Sequence, residues 1–157
     1  MISEEELQPA VDVMCRMNSA GEKFAHHNYV HSLTDVTGFG LLGHLLEMSE
    51  GSGLAAEINY ASISLIEGAQ ALAKKYVAPD NTFRNWKSYE QKVSGINGES
   101  LITLCDPQTN GGLLVAVDAR YENEFKKLLT DLIPDASVQP IGEFRKRAEN
   151  DYVITLK

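Results

Sequence analysis

The chain has 157 residues, 43% of them hydrophobic, enough for one ordinary domain with a real core, which excludes a disordered chain. A formal net charge of −8, with Arg145, Lys146 and Arg147 forming only a short basic cluster, excludes a nucleic-acid partner, because phosphate contacts need massed Lys and Arg. No apolar run reaches the roughly 18 to 20 residues of a membrane span, and the polar start MISEEELQPA is not a signal peptide.

In chain order, residues 3–26 read as a long helix. Ser3 and Glu6 have capping-box spacing, and Leu7, Val11, Met14 and Met17 recur at helical intervals. Pro9 falls inside this stretch, so the regular helix is expected to begin only there. Residues 30–36 form a short extended run. Residues 38–49 make a second helix, with Leu41, Leu42, Leu45, Leu46 and Met48 on its inner face and Gly51 and Gly53 ending it. Residues 54–60 alternate like a strand, and residues 64–76 read as a helix. The polar, turn-rich stretch 77–100 reads as loop. Within it Trp86 is expected to anchor on the core, and Arg84 is either a phosphate contact or structural. Strands are expected at 101–104 and 112–117, and a helix at 121–132 carrying Phe125, Leu128 and Leu129. Strands at 138–144 and 152–156 close the chain. Helices interleaved with strands imply an α/β (α+β) fold, a mixed β-sheet flanked by helices.

Two glycine loops carry the chemistry. TDVTGFGLLGH, from Thr34 to His44, sets Asp35 at the end of an apolar run and follows it with a glycine-hinged turn into a helix. A carboxylate beside free helix N–H groups can hold a metal that in turn holds phosphate, and Asp35, Thr37, Gly38 and Gly40 are the candidate residues. CDPQTNGGLLVAV, from Cys105 to Val117, repeats the design. Asp106 and Pro107 set a turn, and Asp106, Thr109, Asn110, Gly111 and Gly112 are candidates for a phosphate or substrate loop.

Gly38, Gly40 and Gly43 also spell G-x-G-x-x-G, the dinucleotide-binding pattern, with Glu57 as the nearest candidate ribose ligand. A long helix precedes this motif and too few βα units follow it, so the dinucleotide reading is set aside. Cys15 and Cys105 fit no zinc spacing and read as inert buried thiols in a reducing, cytoplasmic setting. His26, His27 and His31 straddle a helix end and a loop and read as solvated rather than as a metal cluster. His44 reads as a helix-face residue rather than a catalytic base.

TDVTGFGLLGHLLEM, the later TFRN at Thr82 to Asn85, and DPQTNGGLL at Asp106 to Leu114 together resemble the selenide, water dikinase (selenophosphate synthetase) family. The resemblance runs over nearly the whole chain, as the C-terminal half of that enzyme, a domain shared with aminoimidazole ribonucleotide (AIR) synthetase-like proteins. It implies a three-layer domain with partial ferredoxin-like topology over 29–157, and an interdomain segment over 1–28, with Met17 and Asn18 matching a common pair. It also implies a reaction of ATP, selenide and water giving selenophosphate, AMP and phosphate. Asp35 resembles the one Mg²⁺ ligand that this domain contributes. The nucleophile, a catalytic lysine, a glycine-rich segment and most metal-binding aspartates belong to an N-terminal domain, so no catalytic residue is expected in this fragment. The implied partners are that N-terminal domain and a second copy in a homodimer. Asn110 stands where the family has serine, and the loop shape is expected to persist. The competing readings are a stand-alone, non-catalytic interaction domain and a sibling such as thiamine-monophosphate kinase, against which the DPQTNGG loop argues.

Overall fold

A computed structural model of the chain describes residues 4–157. The expected capping box at Ser3 lies outside the described residues. The single N-terminal helix is instead two, α1 (Glu4–Cys15) and α2 (Ala20–Ala25). Asn18 and Ser19 fall between them, residues whose side chains favour helix ends over helix interiors. Pro9 lies inside α1, where it removes one backbone hydrogen bond near the helix start.

β1 (Val30–Asp35) is followed by α3 (Gly40–Ser52), which runs through Gly51 and stops at Gly53, left-handed at φ 69°. β2 (Leu54–Ile58) follows as expected. The stretch from 60 to 104 departs most from its sequence reading. The helix expected at 64–76 contracts to α4 (Ala69–Lys74). The expected loop contains α5 (Asp80–Tyr89) and a two-residue strand β3 (Val93–Ser94). The buried face of α5 is Thr82, Asn85 and Tyr89, so its helical period carries no aliphatic residue. The expected strand at 101–104 is the end of α6 (Gly98–Leu104). Asn97 and Ser100 form a reciprocal capping box, each side chain accepting from the other's backbone N–H at 2.9 Å, and that start signal outweighs a four-residue apolar run.

β4 (Leu113–Val117), α7 (Glu122–Leu132), β5 (Gly142–Lys146) and β6 (Ile154–Leu156) complete the order. The fold is α+β as expected, but its strands divide between two sheets. β1 and β4 form an antiparallel pair, and a four-stranded mixed sheet has the order β3-β6-β2-β5, with β6 parallel to both neighbours. α3 touches β2 and β6 of one sheet and β1 and β4 of the other, so one helix unites the core. Its fully buried Leu42 and Leu45 share a cluster with Ile58, Leu104 and Ile154. Phe125 of α7 packs on Phe24 of α2 with ring centroids 5.1 Å apart. Among the described residues no helix is long and apolar enough to cross a membrane.

Candidate functional site

The two glycine loops lie side by side because the strands that feed them are paired. Asp35, the last residue of β1, stands opposite Leu113, the first of β4. The ladder continues beyond the strands: Val36 N–H donates to Gly112 O at 2.9 Å, Gly111 N–H to Val36 O at 2.8 Å, and Gln108 N–H to Thr37 O at 3.1 Å. Thr37 O also accepts from Gly40 N–H at 3.0 Å, which closes the turn into α3. Gly40 is left-handed at φ 71°, and a Cβ there would lie 2.7 Å from both Leu104 O and the Cys105 carbonyl carbon. Only glycine lets the first loop rest against the backbone that opens the second.

The third motif, TFRN, turns out to be the staple. Asn85 is buried on α5 and donates from Nδ2 to Gly38 O at 2.9 Å and to Cys105 O at 3.0 Å, one carbonyl in each loop. Tyr89, one turn on, donates its hydroxyl to Phe39 O at 3.1 Å. Burial satisfied by these bonds fixes the two loops relative to each other. Asn85 belongs to the TFRN motif but its place on a helix did not stand out, and Tyr89 was missed altogether, because the buried face of α5 is polar and aromatic. The signal that would have found them is the i, i+3, i+7 spacing of Thr82, Asn85 and Tyr89. Arg84 is exposed and lies 3.4 Å from Asn81 Oδ1 rather than at either loop. Trp86 does pack on the core, from a helix rather than a loop.

Asn110 does more than occupy a serine position. Its Oδ1 accepts from Gly112 N–H at 3.0 Å and from Asn18 Nδ2 at 2.9 Å, while its own Nδ2 donates to Val13 O at 3.1 Å and to Arg16 O. The second loop is thereby tied to the end of α1. Gly112 is left-handed at φ 88°, with open space where a Cβ would sit, and a Cβ on Gly111 would meet Val36 Cγ1 at 3.0 Å. Thr109 is exposed at the loop tip.

Asp35 is exposed at the end of β1, Thr37 two residues on is half-buried, and Gly38 leaves open space beside the turn. Asp106 is half-buried, and burial raises its carboxyl to about 6, while Gln108 Nε2 donates to its Oδ2. Burial likewise pushes the Cys105 thiol up to about 11, which makes it an unreactive core group. Cys15, expected buried, is exposed.

Elsewhere, His26, His27 and His31 surround one open hollow with Asp118 and Arg120. Arg120 is held by Asp118 at 2.6 Å, and among the described residues no three His, Cys, Asp or Glu side chains are placed to hold a metal. Glu57, the ribose candidate of the dinucleotide pattern, pairs with Arg145 at 2.7 Å and with Lys157, which leaves that reading without its acidic residue.

The family model for AIR synthase related protein, C-terminal domain, matches residues 2–154. The chain is similar to proteins named selenide, water dikinase. That of Pasteurella multocida (strain Pm70) is 46% identical over 122 residues, covering 78% of this chain and 35% of that protein. That of Aeromonas hydrophila is 38% identical over 152 residues, covering 97% of this chain and 44% of the relative. That of Pseudomonas putida is 43% identical over 138 residues, 88% of this chain and 40% of the relative. The chain therefore spans less than half the length of these curated relatives.

Proposed function

The chain belongs to the AIR synthase related protein, C-terminal domain family, and from that premise we propose that it is the C-terminal domain of a selenide, water dikinase. In that role it completes the site at which ATP, selenide and water give selenophosphate, AMP and phosphate. The observation that carries the reading is the convergence of three separated motifs, with Asn85 bonded to both loops and Asp35 exposed at the end of the strand that leads into the first.

One exposed carboxylate with a hydroxyl two residues on suits a share of a Mg²⁺ site. Mg²⁺ takes one or two protein carboxylates and fills its remaining positions with phosphate and water. Asp35 would hold the ion, which when bound offsets charge on the ATP phosphates. Gly38, with open space around it, lets a phosphate approach the turn closely. The second loop, braced by Asn110 and the paired strands, keeps that turn in place. Further carboxylates, a lysine and the nucleophile come from an N-terminal domain of the same protein, which works as a homodimer in the cytoplasm. Free Cys15 and Cys105 support a reducing compartment.

The experiment is Asp35→Asn in the full-length protein. Selenide-dependent ATP turnover is expected to fall at least a hundredfold with little change in melting temperature, because Asp35 is exposed. Turnover within about threefold of the parent, under about 1 kcal/mol, removes Asp35 from the metal site.

A further inference from the structure

His44 has a polar neighbour at each ring nitrogen. It is 7% exposed on the first turns of α3. Its Nε2 lies 3.1 Å from Thr37 Oγ1. Its Nδ1 is buried without a hydrogen bond of ordinary geometry, and the group facing it is the Glu47 carboxylate, one turn along the helix at 3.4 Å. The Phe39 ring leans on the imidazole with centroids 5.9 Å apart. Glu47, His44 and Thr37 thus form a chain of carboxylate, imidazole and hydroxyl that ends two residues from Asp35.

We propose that His44 is a positioning residue that fixes Thr37 as a hydrogen-bond acceptor toward the space beside Asp35. A buried lone pair on Nδ1 would face the negative Glu47 oxygen and be repelled, whereas an N–H there is attracted to it. In a ring that carries one proton, that proton therefore sits on Nδ1, and Nε2 carries the lone pair. Thr37 must then donate its hydroxyl hydrogen inward to Nε2. Its remaining lone pairs are all it can offer outward. A phosphate oxygen accepts hydrogen bonds and finds no donor in this hydroxyl, while a divalent cation, or water bound to one, finds an oxygen. Thr37 is accordingly assigned to the cation side of the site rather than the phosphate side. That a cation is what Thr37 faces rests on Asp35 being the metal ligand proposed above; the direction of the hydrogen bond does not.

The direction is read by long-range ¹H–¹⁵N correlation of the four histidines in the ¹⁵N-labelled chain, without metal or nucleotide. His44, identified by its loss in His44→Gln, is expected as the Nδ1–H tautomer. Thr37→Val should move its Nε2 resonance further toward the free lone-pair position, and the exposed change Glu47→Gln should add Nε2–H tautomer. An Nε2–H tautomer, an imidazolium or an averaged ring in the parent overturns the proposal, whatever Asp35 does. In the full-length protein, Thr37→Val should raise the Mg²⁺ concentration for half-maximal turnover by about threefold or more, with a smaller effect on ATP. An effect on ATP alone would reassign Thr37 to phosphate.

Discussion

The side chains of Asn18 and Asn110 meet across 92 positions of sequence, with Asn18 Nδ2 donating to Asn110 Oδ1 at 2.9 Å. The segment between α1 and α2 is thereby fastened to the second glycine loop, together with the bonds from Asn110 to Val13 O and Arg16 O. Serine, the residue of the resembling family at this position, is too short to span these partners. Asn110→Ser is expected to cost about 2 kcal/mol, or roughly 4–8 °C in melting temperature. Identical thermal unfolding of the two proteins would show that the contact does not hold the segment.

Two left-handed glycines make a sharp contrast. Gly40→Ala adds a Cβ 2.7 Å from backbone atoms of Leu104 and Cys105, whereas Gly112→Ala adds one into open space. The second carries only the backbone penalty of about 1–2 kcal/mol, while the first must also part the two loops. Urea unfolding should rank Gly40→Ala well below Gly112→Ala. The reverse order would mean that the loops are not packed as described.

Asn85→Asp replaces a donor to two carbonyl oxygens with a buried carboxylate that repels both. A loss on the order of 3–5 kcal/mol is expected, as for other uncompensated buried charges. A variant that melts with the parent at pH 7 would show that Asn85 is not the staple between the loops.

Asp106 supplies a pH test. Its folded-state pKa, about 6, lies above its ordinary value of 3.8, so between these values the native state holds a proton that the unfolded chain has released. Stability from this group is therefore greatest below about pH 4 and is lost as pH rises through about 6, by up to about 3 kcal/mol. Asp106→Asn, neutral throughout, should melt above the parent at pH 7 and level with it near pH 4. An equal difference at both pH values would mean that burial does not perturb this carboxyl.

The two glycine loops were more legible in the sequence than the elements around them. The loop glycines announce themselves because a turn with left-handed angles admits few residue types, and Gly40 and Gly112 hold such angles. β2 and α7 were also legible, since alternation and an amphipathic period survive in short windows. α5 was not, because its inward residues Thr82, Asn85 and Tyr89 are chosen for hydrogen bonds instead of apolar area. The LITL run of α6 reads as helix or strand equally well, and the deciding Asn97–Ser100 cap lies outside that run. The division into two sheets depends on which distant strands meet, for which local periodicity has no signal.

That meeting has a consequence for how the chain is made. In the four-stranded sheet the inner strand β6, residues 154–156, lies between β3 and β2 and is the last of the four in sequence. A ribosome delivering this domain from its N-terminus releases β2, β3 and β5 before the strand that joins β2 to β3 exists. Until it emerges, β2 can pair only with β5, and β3 has no neighbour in its sheet. The nascent domain therefore exposes open strand edges until β6 has been made, and closure of the sheet waits for the last of its four strands.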